Sequence, residues 1–275
     1  MRPARAGGRP LADEISSPGP VRCGIFAGVG RLDQALVERG LCESREKAKR
    51  AILAGQVRVN DQRARKPSDA VKPADAIALA LPERFVSRGG LKLERGLAHF
   101  GIDVAGRRAI DLGASTGGFT DCLLQRGAAT VFAVDVGQGQ LAWKLRRDPR
   151  VVVMEKTNAR ELTPARFPRP FEPADVIVID CSFISLRKIL PPAIALLRGS
   201  GKIIALIKPQ FEAGKAEADK GAGVIRDARI HERVLRELED FVTGLPGLTW
   251  RGVTDSPLLG PAGNKEFLAL IEKTG

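Results

Sequence analysis

The sequence predicts an α/β fold: one large domain on a parallel sheet covered on both faces, behind a small α+β domain. Three observations lead there. From about residue 90 onward, short apolar runs alternate with stretches of helical periodicity. One such run, Ala109 to Leu112, feeds a glycine turn at Gly113, Gly117 and Gly118, and a helical pattern follows through Phe119, Cys122 and Leu123. With 275 residues, 44% of them hydrophobic, the chain can bury one large core and a second small one.

Taken in order, residues 1–29 are rich in Gly, Pro, Arg and Ser without a sustained period, and read as a flexible extension. The small domain, residues 30–80, begins at Arg31. Leu32, Ala35 and Leu36 have helical spacing, and Gly40 closes that helix. Ser44 is placed to cap a second helix, Arg45 to Ala54, which Gly55 ends. Val57-Arg58-Val59 alternates as a strand does, Asn60-Asp61 signals a turn, and a further run extends from Val71 to Leu79. Arg31, Arg45, Lys47, Lys49 and Arg50, with Ser44 at the cap, are the candidate polyanion contacts, their cations suited to phosphate. No aromatic side chain lies here to stack on bases, so backbone and shape readout is expected.

Residues 81–88 read as a linker, and 89–275 as the large domain. Its expected strands are 108–112, 130–135, 151–154, 175–180, 202–208, 248–254 and 266–271; helices are expected near 92–103, 118–126, 139–146, 186–197 and 226–243. Ligands in such sheets lie beyond the carboxyl ends of the strands. The turn residues Gly113, Ala114, Ser115, Gly117 and Gly118 are therefore expected to cradle a ligand with their backbone. Asp111 stands where a cationic amino-acid group could be held. Asp135 ends the next strand, in the place of ribose hydroxyls, and Asn158 follows the third, near adenine. The spacing Gly-x-x-x-Gly-Gly differs from that of dinucleotide binders, and the ligand favoured is S-adenosylmethionine. Asp180, Lys208 and Glu266 adjoin further apolar runs. Phe183 is expected either near the ligands or in the core, and the loop Gly214 to Gly223 has a flap's composition.

Charge and cysteine usage narrow the class. The formal net charge is +12, and residues 1–80 hold 15 Lys/Arg against 9 Asp/Glu, which points to a polyanionic partner. Cys23, Cys42, Cys122 and Cys181 form no Cys-x-x-Cys pair, which argues against a zinc site or disulfide framework and for a reducing cytoplasm. His99 and His231 lie far apart in helical patterns and are expected to be ordinary surface or helix residues. No apolar run reaches the ~18 residues of a membrane helix.

The order Arg31-Leu-Asp, Ser44-Arg45, Ala48, Gly55-x-Val57-x-Val59-Asn60 resembles the alpha-L RNA-binding domain, named after ribosomal protein S-four. Lys92, Asp180, Lys208 and Glu266 resemble, residue by residue, the Lys-Asp-Lys-Glu tetrad of FtsJ-type, Rossmann-like RNA 2′-O-methyltransferases. Ser-Arg-Gly-Gly-Leu-Lys92-Leu, Asp111-Leu-Gly-Ala-Ser-Thr-Gly-Gly-Phe119, Asp180-Cys-Ser-Phe-Ile-Ser185, Lys208-Pro-Gln-Phe-Glu212 and Gly263-Asn-Lys-Glu266-Phe are similar to the TlyA/hemolysin A family over about residues 30–272.

That resemblance implies S-adenosylmethionine-dependent methylation of a cytidine ribose in ribosomal RNA, on ribosomal subunits, with no metal. It makes Lys208 the central group, held among Asp180 and Glu266, either stabilising an alkoxide or accepting a proton. Lys92 is to orient the ribose or a phosphate. Three rival readings are a non-catalytic ribosome-assembly factor, a membrane-active hemolysin and a base methyltransferase. The intact tetrad opposes the first, and the lack of a spanning segment the second. Against the third, Asp180-Cys-Ser-Phe183 stands where base amino-methyltransferases carry Asn/Asp-Pro-Pro-aromatic.

Overall fold

The computed structural model describes residues 29–79, 84–214, 217, 219 and 221–274. The expected extension, save Val29, lies outside the described residues, as do Lys215 and Lys220 of the 214–223 loop. Contacts divide the chain into two units, residues 1–82 and 83–275.

The first unit runs β1 (Gly30–Arg31), α1 (Leu32–Glu38), α2 (Arg45–Leu53), β2 (Val57–Val59), β3 (Gln62–Arg63), β4 (Ala70–Val71) and β5 (Ile77–Leu79). Leu32, Ala35 and Leu36 of α1 pack with Ala48, Ala51 and Ile52 of α2, and Val57 and Val71 complete this core. Gly40 and Gly55 take φ of +69° and +72°, the left-handed turn that ends a helix without a Cβ clash. The Ser44 hydroxyl accepts the Lys47 N–H at 3.3 Å and caps α2. The expected run from Val71 to Leu79 is two strands rather than one: β4 pairs with β1, and β5 with β2. Asp75 breaks it, accepting the Lys72 N–H at 2.7 Å and the Asn60 amide at 2.9 Å, so a turn forms between them.

The second unit comprises α3 (Gly89–His99), β6 (Arg108–Leu112), α4 (Gly118–Gln125), β7 (Thr130–Val134), α5 (Trp143–Arg146), β8 (Val151–Met154), β9 (Ala174–Ile179), α6 (Leu186–Leu196), β10 (Leu197–Ile207), α7 (Pro209–Glu212), α8 (Ala228–Thr243), β11 (Leu248–Asp255) and β12 (Phe267–Lys273). All seven expected strands join one sheet, in the order β11-β12-β10-β9-β6-β7-β8. Alternation along each strand splits the core. Ile110, Ile177, Ile179, Ile203 and Ala269 face one apolar layer; Ala109, Val176, Val178, Ile204 and Leu268 face the other.

Three expectations change. The sheet is mixed rather than wholly parallel, because β12 runs antiparallel to both β10 and β11. The connection from β11 to β12 contains only turns, and neighbouring strands so joined must reverse direction. The helix expected over 139–146 shortens to α5. Asp135 accepts the Gly137 N–H at 2.7 Å and Glu155 the Gly139 N–H at 2.8 Å, holding that segment in a loop. Residues 85–88, counted as linker by composition, pack on the second unit. Phe85 is buried, the Val86 N–H reaches Asp121 at 2.8 Å, and a Cβ on Gly90 would stand 2.2 Å from the Phe85 ring.

Candidate active site

β6 lies between β7 and β9, so the chain leaves it to both sides and a crevice opens beyond the carboxyl ends of β6 and β9. Gly113 follows β6 and Asp180 follows β9. Gly113 has φ +88°, and a Cβ there would sit 2.8 Å from the Asp180 carbonyl oxygen. Glycine is thus what lets these two strand ends close up. Gly117, at φ +96°, begins α4, and a Cβ would lie 2.2 Å from the Leu145 side chain of α5; one on Gly118 would lie 2.9 Å from the Gly90 nitrogen. These glycines are demanded by neighbouring chain as much as by a ligand.

Lys92, Asp180, Lys208 and Glu266 come together. They line one cavity of about 290 Å³ with Gly113, Ala114, Ser115 and Gly118. The tetrad is arranged as two ion pairs. Lys92 Nζ donates to Glu266 Oε2 at 2.5 Å, both side chains being buried, and Lys208 Nζ lies 2.6 Å from Asp180 Oδ1. Glu266 therefore pairs with Lys92, whereas the sequence reading set it beside Lys208. Gly260 makes room for that carboxylate, since a Cβ there would be 2.5 Å from Glu266 Oε1. A buried pair of this kind costs desolvation and stands only because each charge meets its partner.

A second hollow, about 500 Å³, adjoins the first through Gly113, Ser115 and Asp180, and holds Asp135 and Asn158. Each oxygen of Asp135 accepts one loop amide, Ser115 N–H at 2.7 Å and Gly137 N–H at 2.7 Å. A carboxylate has lone pairs beyond those two, so hydroxyl donors can still be met. The Asn158 side chain accepts the Arg160 N–H at 3.1 Å and donates to Glu161 at 3.1 Å, which fixes it on the wall. A third hollow, about 450 Å³, lies beside Lys208 and Glu266 and is lined by Phe183, Phe211, Pro261 and Ala262. Phe183 is 90% exposed at φ +62°, its ring 5.1 Å from that of Phe211, so it belongs to this hollow and not to the core.

Asp111 lies beneath the turn, fully buried, and lines neither of the first two hollows. Its Oδ2 accepts the Thr120 hydroxyl at 2.7 Å, while Oδ1 has no partner. Burial pushes this carboxyl up to about 7; the Thr120 hydrogen bond opposes the rise and the Asp180 charge adds to it. Asp111 therefore does not face these hollows as the sequence suggested; the fit to S-adenosylmethionine rests on the glycine turn walling the first hollow and on Asp135, whose free lone pairs can meet ribose hydroxyls in the second. Burial also pushes the thiols of Cys122 and Cys181 up to about 12, so neither is a ready nucleophile. Among the described residues no group of three or more His, Cys, Asp or Glu side chains is placed to hold a metal.

Several functional-looking residues escaped the sequence reading because their role is contact, not type. Ser182 accepts a hydrogen bond from Lys208 Nζ at 2.8 Å. Glu212 accepts the Ser185 hydroxyl and the Leu186 N–H, each at 2.7 Å, bracing the turn after β9. Asn264, buried, accepts the Ile225 N–H at 2.9 Å and donates to the Gly223 carbonyl at 2.8 Å. His231 is buried on α8, 3.0 Å from the Ile225 carbonyl and edge-on to Phe267, where the sequence left it an ordinary helix or surface residue. The sequence signal was membership of the quoted motifs, since Ser182, Glu212 and Asn264 all lie within four residues of a tetrad member.

In the first unit, the Arg31 and Arg45 guanidiniums both hold Asp33, at 3.0 Å each. They cover its carboxylate completely while remaining about half exposed themselves. Burial pushes the Asp33 carboxyl up, yet hydrogen bonds from Arg31 and Arg45 outweigh it and leave the group below its usual range. Lys47 pairs with Glu43, and Lys49 and Arg50 lie along α2. Asp33→Ala is expected to loosen the helix pair by about 1–3 kcal/mol, the scale of a lost charged hydrogen-bond network. Faster hydrogen exchange of the 45–53 amides in the full-length chain would show it; unchanged exchange would contradict it.

Comparison with known proteins fits this geometry. Residues 85–273 match the FtsJ-like methyltransferase model and residues 30–77 the S4 domain model. The chain belongs to the FtsJ-like methyltransferase family. Within it the chain is of the TlyA/hemolysin A kind. It is 46% identical over 245 residues to the 16S/23S rRNA (cytidine-2′-O)-methyltransferase TlyA of Mycobacterium tuberculosis, covering 86% of this chain and 87% of that one. Hemolysin A of Brachyspira hyodysenteriae is 43% identical, over 87% of this chain and 98% of its own. A solved structure from Streptococcus thermophilus superposes with a TM-score of 0.66 at 44% identity, covering 90% of each chain. As an FtsJ-like methyltransferase the chain takes its methyl group from S-adenosylmethionine. The S4 domain makes RNA the substrate class. No described helix is long and apolar enough to cross a membrane.

Proposed function

We infer that this FtsJ-like methyltransferase modifies a ribose 2′-hydroxyl of ribosomal RNA, a cytidine ribose, acting on ribosomal subunits in the cytoplasm. The observation that carries the reading is the pair of lysine–carboxylate contacts facing one glycine-walled cavity. When bound, the cofactor supplies a methyl already activated as a sulfonium. What the chain must add is alignment and charge control at the ribose oxygen.

As the O–C bond forms and the S–C bond breaks, Lys208, as an ammonium beside Asp180, stabilises negative charge developing on that oxygen, and the 2′-proton leaves to solvent water. Lys92, anchored by Glu266, presents its remaining N–H groups to the ribose or an adjacent phosphate. Gly113, Ala114, Ser115, Gly117 and Gly118 form the backbone cradle, with Asp135 on the ribose side and Asn158 beside the adenine. The hollow of Phe183 and Phe211 receives the target base, whose flat faces match exposed aromatic rings. Arg31, Arg45, Lys47, Lys49 and Arg50 make phosphate contacts from the S4 domain, with Ser44 holding the start of α2 in place.

The test uses the full-length chain, tritiated S-adenosylmethionine and ribosomal subunits from cells lacking the gene. Label is expected in ribosomal RNA within an alkali-resistant dinucleotide, the mark of a blocked 2′-oxygen. Label on a base, or none, would overturn the reading.

A further inference from the structure

Three hollows meet at one side chain. Ser182 lines the cavity of the ion pairs, the hollow of Asp135 and Asn158, and the aromatic hollow of Phe183. Its Oγ accepts a hydrogen bond from Lys208 Nζ at 2.8 Å. The same nitrogen stands 2.6 Å from Asp180 Oδ1, yet that contact lacks hydrogen-bond geometry and Oδ1 makes no other hydrogen bond. Asp180 thus attracts the ammonium without setting its direction. The Ser182 hydroxyl sets it. An ammonium has three N–H groups, so one held by Ser182 and one turned toward Asp180 leave the third for an oxygen in the cavity.

The turn that carries Ser182 is itself braced from the lysine's side. Glu212 ends α7, four residues after Lys208, and takes both the Ser185 hydroxyl and the Leu186 N–H at 2.7 Å. Ser185 in turn caps α6 by accepting the Arg187 N–H at 3.2 Å. Lys208 and the Ser182 turn are therefore tied twice, once through Glu212 and once directly. A hydroxyl on so constrained a turn is a fixed acceptor, and a fixed acceptor orients its donor.

We propose that Ser182 is a positioning residue of methyl transfer: its hydroxyl aims the Lys208 ammonium at the ribose oxygen. The proposal rests on the ribose-methylating reading above. It concerns rate, because the hydrogen bond Ser182 accepts comes from Lys208, the group assigned to the reacting oxygen.

The experiment compares full-length wild type, Ser182→Ala and Ser182→Thr in single-turnover transfer of tritiated methyl to unmodified ribosomal subunits. S-Adenosylmethionine affinity is read by calorimetry, subunit binding by co-sedimentation and melting by circular dichroism. Ser182→Ala is expected to slow transfer roughly 10- to 100-fold, the scale of a misaligned reacting group, with both affinities and the melting temperature unchanged. Ser182→Thr, which keeps the hydroxyl, is expected to recover most of the rate. Wild-type transfer by Ser182→Ala, a loss traceable to weaker binding or folding, or no rescue by threonine would each overturn the proposal. Absence of ribose label with wild type would instead bring down the functional reading itself.

Discussion

Lys208→Ala is expected to lower methyl transfer about 10²- to 10⁴-fold while leaving RNA affinity close to wild type. Among the described residues the lysine nitrogen is the one cationic group that touches both Asp180 and Ser182, and it stands where the aromatic hollow opens onto the ion-pair cavity. On the proposed reading, its removal deletes the charge that meets the ribose oxygen. The S4-domain cations proposed for phosphate contact, Lys49 and Arg50 among them, remain. Rates from tritiated-methyl transfer and affinities from filter binding separate the two effects. Full turnover by the variant would mean that Lys208 is a structural ion-pair partner only.

Asp111→Asn is expected to make the ligand-free chain more resistant to heat at pH 8 and to weaken its affinity for S-adenosylmethionine. The carboxyl titrates near 3.8 in an unfolded chain and at about 7 in the fold, where burial opposes its charge. Between those values the folded state binds the extra proton. Stability is therefore greatest on the acid side, declines as pH rises from about 4 to 7, and stays reduced above. A shift of that size corresponds to about 4 kcal/mol at most. The asparagine amide places two buried N–H groups where Oδ1 has no partner, at about 1–3 kcal/mol each, so a net gain of no more than roughly 2 kcal/mol is expected at pH 8. The gain should shrink toward pH 5, where the wild-type carboxyl is already neutral. Melting curves at the two pH values check this, and calorimetry checks the cofactor. Equal melting of variant and wild type at pH 8 would show that Asp111 is not held against its charge.

Much of this architecture is legible in local pattern. Helix ends at Gly40 and Gly55 and the cap at Ser44 are decided within a few residues, because they depend on φ and on one hydroxyl. The same holds for apolar runs such as Val176 to Ile179, whose burial shows in composition alone. Legibility failed where a carboxylate captured backbone amides. Asp75 split the Val71–Leu79 run, and Asp135 and Glu155 kept 137–139 out of α5. Phe183 stayed undecided for a related reason: an aromatic within four residues of a buried strand looks the same whether it turns in or out.

By itself the sequence determined which segments form the strands of the large sheet, that glycines stand after β6, and which charged side chains follow apolar runs. The resemblance of Lys92, Asp180, Lys208 and Glu266 to a known tetrad nominated the site. Only the tertiary structure decided the partners. Lys92 meets Glu266 across 174 positions of chain, and Lys208 divides its contacts between Asp180 and Ser182. Strand order is the physical reason. Which side chains meet beyond a sheet depends on which strand ends are neighbours, and β9 beside β6, with β12 inserted between β10 and β11, follows from packing both apolar layers at once.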